Sequence, residues 1–187
     1  MKKTITLYSL NPDEYPNIEK EFEVIDNVKE QLDEITTQSP IKAVKVARVQ
    51  ARRVKAGEQV DTRPRVIVDG KEYTFIETKQ IVSQEQAQKG AVAVINPDGE
   101  EYLMSEEKFN KKYIKTQGGF KAIDGPKHFR IVTKDCVITA SWGEEQFVPK
   151  GSVLCVENVD DIYSVTNSAF QHTYSTDPKD FDLGMEY

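Results

Sequence analysis

The sequence predicts an α+β fold, rich in short strands, in which two tandem repeated modules follow an N-terminal helix. Three observations lead to it. Residues 89–113, KGAVAVINPDGEEYLMSEEKFNKKY, recur 61 positions later without a gap as residues 150–174, KGSVLCVENVDDIYSVTNSAFQHTY. Of the 25 aligned positions six are identical: Lys89/Lys150, Gly90/Gly151, Val92/Val153, Tyr102/Tyr163, Phe109/Phe170 and Tyr113/Tyr174. Unrelated segments of this length share roughly one or two, so the pattern reads as a duplicated unit. Short runs of β-favouring residues punctuated by Asn, Asp, Gly and Pro recur through the chain, as strands and tight turns require. A single segment, 18–35, has apolar residues three and four apart (Ile18, Phe22, Ile25, Val28, Leu32, Ile35), the spacing of one helical face.

Taken in order, residues 4–10 read as a strand that ends at Asn11-Pro12-Asp13. Asn27 followed by Glu30 has the form of a capping box and predicts a helix over about residues 28–36; the stretch before it fits either helix or a short strand. After Ser39-Pro40 comes a strand-like stretch, IKAVKVARVQARRV, whose alternation puts Arg48, Gln50 and Arg52 on one face and Ala47, Val49 and Ala51 on the other. RVIVDGKEYTFIET then predicts a hairpin about Asp69-Gly70, suited to a type I′ turn. Residues 79–88 read as a polar connector.

The repeated unit itself reads as a buried strand from Ala91 to Ile95, a turn at Asn96-Pro97-Asp98-Gly99, a second strand, and a short helix capped by Ser105 that docks Phe109 and Tyr113. Gln117-Gly118-Gly119 suggests an internal boundary, and FRIV with CVIT suggests a second hairpin about residues 133–135. The expected organisation is an N-terminal strand and acidic helix at 1–40, a first β-rich module at 41–116, a second at 117–175, and a polar tail at 176–187.

These residues also carry a likeness. Gly90, the Val92–Ile95 run, the turn at 96–99, Glu100-Glu101-Tyr102, then Phe109 and Tyr113 resemble the PGDYG-type domain of bacteriophage and bacterial proteins. The second copy keeps Gly151, Tyr163, Phe170 and Tyr174 without the Pro-Asp-Gly turn, and Ala91 and Ser152 stand where the family motif has Asp. The resemblance implies a fold and a phage or mobile-element origin, and no chemistry to transfer.

Composition narrows the function. The chain has 187 residues, 30% charged, a net charge of -6 and no apolar run long enough for a membrane helix. Its start lacks the apolar core of a secretory signal, so a cytoplasmic protein is expected. Cys136 and Cys155 lie in apolar runs and read as buried free thiols; with His128 and His172 as the two histidines, no metal site is expected, and nothing calls for a cofactor.

Arg48, Arg52, Arg53, Arg63 and Arg65, five of the six arginines, fall within 18 residues, a placement suited to a phosphate or carboxylate. The sole tryptophan, Trp142, sits in a connector where it could wall a pocket or anchor an interface. The enzyme candidates are Glu144, Glu145 and His128, although neighbouring strand residues point to opposite faces. The expectation is therefore a non-catalytic binding protein that recognises a host protein or a small anionic, nucleotide-like ligand through Arg48, Arg52, Arg53, Arg63, Arg65 and Trp142. The alternatives are an enzyme acting on a nucleotide or sugar through Glu144, Glu145 or His128, and a weak nucleic-acid binder through the arginine face, which a sequence pI near 5.1 disfavours.

Overall fold

A computed structural model describes residues 1–182. Its first elements are β1 Lys2–Ser9, β2 Ile18–Val24, α1 Val28–Ile35, β3 Ile41–Lys45, β4 Gln50–Arg53 and β5 Gln59–Thr62. β6 Arg65–Val68, β7 Lys71–Thr74, β8 Thr78–Ile81, α2 Gln84–Lys89, β9 Ala91–Ile95 and β10 Glu101–Ser105 follow. Then come α3 Glu106–Lys112, β11 Tyr113–Thr116, β12 Gly119–Ala122, β13 Lys127–Ile131, β14 Cys136–Thr139 and β15 Glu145–Val148. The last are β16 Val153–Cys155, β17 Tyr163–Val165, α4 Asn167–Thr173, β18 Tyr174–Ser175 and a 3-10 turn, Pro178–Asp180. The fold is β-rich with four short helices among the described residues. Of the expected polar tail, residues 183–187 lie outside the described residues.

The chain divides into two compact units, each drawn from three segments rather than from the contiguous spans 41–116 and 117–175. Unit 1 comprises Met1–Ala43, Arg65–Phe75 and Lys127–Gln171; unit 2 comprises Val44–Pro64, Ile76–Pro126 and the chain from His172 on.

Unit 1 is built on a six-stranded sheet in the order β15-β14-β2-β1-β7-β6. The 18–24 stretch resolves as strand: Ile18, Lys20, Phe22 and Val24 alternate inward with Glu19, Glu21 and Glu23, and β1 offers it a six-pair antiparallel ladder. Asn27 caps α1 through Glu30 N–H (3.1 Å), while the return bond to Asn27 N–H comes from Gln31. Asp69 and Gly70 both take positive φ (51° and 75°), as the hairpin turn between β6 and β7 requires. A second ladder runs β17-β16-β13 and on to the first residues of β3. Ile25, Leu32, Ile35, Cys136, Ile138 and Leu154 form the larger core of this unit, and Leu7, Val66, Tyr73 and Phe75 a second one.

FRIV and CVIT do not form the expected hairpin. β13 pairs with β16, and β14 lies between β15 and β2, parallel to β2. Cys136, Val137 and Ile138 are buried on both faces, so CVIT needs a central position that a two-stranded hairpin would not supply.

In unit 2, β9 lies between β10 and β4 in an antiparallel sheet, and a bridge from Val49 to Phe120 brings in the β11–β12 hairpin. The ends of β3 and β18 pair, as do β5 and β8. Gln117-Gly118-Gly119 is the turn of the β11–β12 hairpin and not a boundary. Gly119 has φ 138°, and a Cβ there would lie 2.7 Å from Val49 O, so the close approach to β4 demands glycine. The connector at 79–88 holds β8 and α2, whose start is a capping box of Ser83 and Gln86. Two cores fill the unit, one about Val49, Val94, Phe109 and Tyr113, the other about Val54, Val60, Val82 and Ala93.

The segments 61 residues apart have the same order of elements: β9, β10, α3, β11 in one, and β16, β17, α4, β18 in the other. α3 (Glu106–Lys112) and α4 (Asn167–Thr173) are themselves 61 apart.

Two outcomes follow from this packing. Leu154 is fully buried in the larger core of unit 1, and Leu154→Ala is expected to cost about 2–5 kcal/mol in chemical denaturation. Burial pushes the Cys136 thiol up to about 12, so neither it nor the buried Cys155 is expected to react with a maleimide until denaturant is added, as mass spectrometry would record.

Candidate functional site

The arginines lie on exposed backbone of unit 2, except Arg65, which begins β6 in unit 1. Alternation along β4 holds: Val49 is buried, and Arg48 and Arg52 face solvent. Arg48, Arg52, Arg53 and Arg63 do not converge on an open anion site, because each reaches a group of unit 2. Arg52 is held by Glu58 (2.6 Å) and Glu101 (2.9 Å), Arg53 by Glu106, and Arg63 by Asp61 (3.2 Å). Arg48 donates to Thr116 Oγ1 (2.9 Å). The bond from Arg52 holds the Glu58 carboxyl below the usual carboxylate range, with the Lys55 N–H adding to it. The pairing is with carboxylates at 58–106 and not with the acidic N-terminal segment.

The enzyme candidates each have a different partner. His128 lies within β13, and both its N–H and its Nδ1 meet Glu157 Oε2 at 2.8 Å; those bonds lower the Glu157 pKa. Glu145 begins β15 and binds Lys3 (2.6 Å). Glu144 accepts a hydrogen bond from Trp142 Nε1 at 3.1 Å.

Trp142 lies at the tip of the β14–β15 hairpin, and its side chain is 53% exposed. The loop beneath it is fixed. Ala140 N–H donates to Glu144 O and Gly143 N–H to Ala140 O, both at 2.9 Å, and Gly143 takes φ 92°, a conformation that favours glycine. Ser141 Oγ donates to Asp161 Oδ1, tying this loop to the turn at 158–161, where Val159 is 47% exposed.

Unit 2 contains a polar cluster that sequence reasoning missed. Lys45 Nζ donates to Tyr113 Oη (2.9 Å) and reaches Asn96 Oδ1 (3.5 Å), and the Tyr113 and Tyr102 hydroxyls are 3.2 Å apart. Asp98, 6% exposed, accepts from Glu100 N–H through Oδ1 while its buried Oδ2 has no partner. Burial, and then the Asp98 charge, raise the Glu100 carboxyl to about 7 against the pull of Lys45 and Asn96. Burial likewise raises Tyr102 well above its ordinary value. The available signal was the hydroxyl itself: Tyr102/Tyr163 and Tyr113/Tyr174 are tyrosine in both copies, where packing alone is served equally by Phe. Elsewhere in unit 2 a groove of about 180 Å³, lined by Gln80, Gln86, Lys89, Leu103 and Met104 among others, falls short of the roughly 300–1,000 Å³ of small-molecule sites.

Comparison with protein-family models, with curated proteins and with solved structures found no match for this chain. Among the described residues no helix is long and apolar enough to cross a membrane.

Glu100 generates a pH prediction. Its folded pKa, about 7, lies above the ordinary 4.5, so between those values the folded chain holds a proton that the unfolded chain has released. The contribution is complete below about 4.5 and lost as pH rises through about 7, by up to about 3 kcal/mol. The groups facing it are the Asp98 carboxylate, the Lys45 ammonium and the Tyr102 hydroxyl. Glu100→Gln is therefore expected to gain stability relative to wild type between pH 5 and 7 in urea titrations and to level off above that; a constant difference would refute the shifted carboxyl.

Proposed function

We propose that this chain is a non-catalytic binding protein, of phage or mobile-element type, that recognises a partner protein through the Trp142 loop of unit 1. The observation that carries the reading is a large indole left exposed on a loop whose backbone and ring N–H are already fixed. Such a side chain loses little entropy on docking, and aromatic anchors of this kind dominate the energy of protein interfaces. The small-anion reading loses support because Arg52, Arg53 and Arg63 are engaged by internal carboxylates, each of which a ligand would have to displace. The same pairing weakens the case for nucleic acid. The enzyme reading loses support because Glu144, Glu145 and His128 have separate structural partners.

A tandem origin of the two copies is part of the proposal. It is supported by the six shared residues and by the common order of elements at a spacing of 61. The phage-type origin rests on the sequence resemblance alone.

Affinity capture from bacterial lysate tests the reading. Wild type and Arg52→Ala are expected to retain the same protein partner, and Trp142→Ala to lose on the order of tenfold or more of it at an unchanged unfolding midpoint. A partner retained equally by Trp142→Ala, or a covalent change in a small molecule that disappears with Glu144→Ala, would overturn it.

A further inference from the structure

Resting on the reading of Trp142 as an interface anchor, we infer that the Trp142 loop and the adjoining turn form a docking surface for an arginine-bearing segment of a partner protein. The apolar part of the surface is the exposed Trp142 and Val159, on two loops joined by the Ser141–Asp161 hydrogen bond. Its charge is one-sided. Between Thr139 and Thr166 the sequence has five carboxylates, Glu144, Glu145, Glu157, Asp160 and Asp161, against one cation, Lys150.

Two of those five carboxylates pair with lysines of unit 1, Glu145 with Lys3 and Asp160 with Lys29, and Glu157 is bonded by the ring and backbone N–H of His128. The two nearest the indole in the bonding pattern are different. Glu144 is bonded by the Trp142 N–H and Asp161 by the Ser141 hydroxyl, both neutral donors, and neither has an ion-pair partner among the described residues. An exposed indole flanked by two uncompensated carboxylates is complementary to a guanidinium. Arginine stacks its plane on an aromatic face, is attracted by the ring's quadrupole, and presents a fork of N–H donors to a carboxylate. An acidic or purely apolar segment would leave Glu144 and Asp161 desolvated without a counter-charge, which disfavours it.

The chain supplies its own reporter, since Trp142 is its single tryptophan. Its fluorescence would be titrated with the peptide acetyl-Gly-Arg-Gly-Arg-Gly-amide and with the same peptide carrying citrulline, which keeps the shape and removes the charge. A saturable change is expected with the arginine peptide, at least fivefold weaker with the citrulline peptide and in Glu144→Gln/Asp161→Asn. If that double variant fails to fold, raising salt from 50 to 500 mM on wild type replaces it, with several-fold weakening expected. Equal response to both peptides, indifference to salt, or no saturable response up to millimolar peptide would overturn the inference. So would concentration-dependent self-association abolished by the same double substitution, which would name a second copy as the occupant. Partner capture that survives the double substitution but is lost in Trp142→Ala would sink the arginine inference alone, whereas capture that survives Trp142→Ala would sink the interface reading with it.

Discussion

The parallel pairing of β14 with β2 is the contact on which unit 1 depends. It consists of two residue pairs, Cys136 with Glu23 and Val137 with Val24, flanked by hydrogen bonds from Glu23 N–H to Asp135 O and from Ile25 N–H to Val137 O. More than a hundred residues separate its strands, so closing it costs considerable loop entropy. Burial repays that cost: Cys136 and Ile138 enter the same core as Ile25, Leu32 and Ile35. Lys20 with Asp135 and Lys134 with Glu23 hold the edge of the contact in register. With β14 locked centrally, β15 can only pair outward, and the loop between them is carried to the surface with Trp142 at its tip.

Unit 2 handles charge in the opposite way. Arg52, Arg53 and Arg63 are exposed but paired in place with carboxylates, Arg52 spanning Glu58 and Glu101, while Arg48 donates to the Thr116 hydroxyl. The ionisable groups that matter there are interior: Lys45, Asp98 and Glu100 lie close together with two tyrosine hydroxyls, and low polarity makes one proton decide the charge of the group. Burial and the Asp98 charge favour the protonated form of Glu100, and Lys45 and Asn96 oppose it. In the Trp142 loop, by contrast, Glu144 and Asp161 are bonded by the neutral donors Trp142 Nε1–H and Ser141 Oγ–H.

Much of the local structure was legible in the sequence. β1, α1 with its Asn27 cap, the Asp69-Gly70 hairpin, the buried β9, the turn at 96–99 and the Ser105 cap all follow from turn chemistry, capping and alternation, which act within a few residues. The exposed positions of Arg48 and Arg52 were legible for the same reason. Where local signals were ambiguous, partners decided. Ile18–Val24 satisfies a helical spacing and a strand alternation equally, and became strand because β1 offered it a ladder. Gln117-Gly118-Gly119 has the composition of a linker and became a tight turn because β4 approaches too closely for any Cβ.

The sequence by itself determined the short β-rich elements, their turns and caps, and the buried thiols, because each depends on neighbours along the chain. Only the tertiary structure decided that 133–135 would not join a hairpin, that each compact unit would be drawn from three stretches of chain, that Arg52, Arg53 and Arg63 would be engaged by carboxylates, that the loop bearing Trp142 would reach the surface, and that Lys45, Asp98, Glu100, Tyr102 and Tyr113 would meet. Those outcomes depend on which distant strand or charge arrives alongside, and burial and electrostatics act through space without regard to separation in sequence.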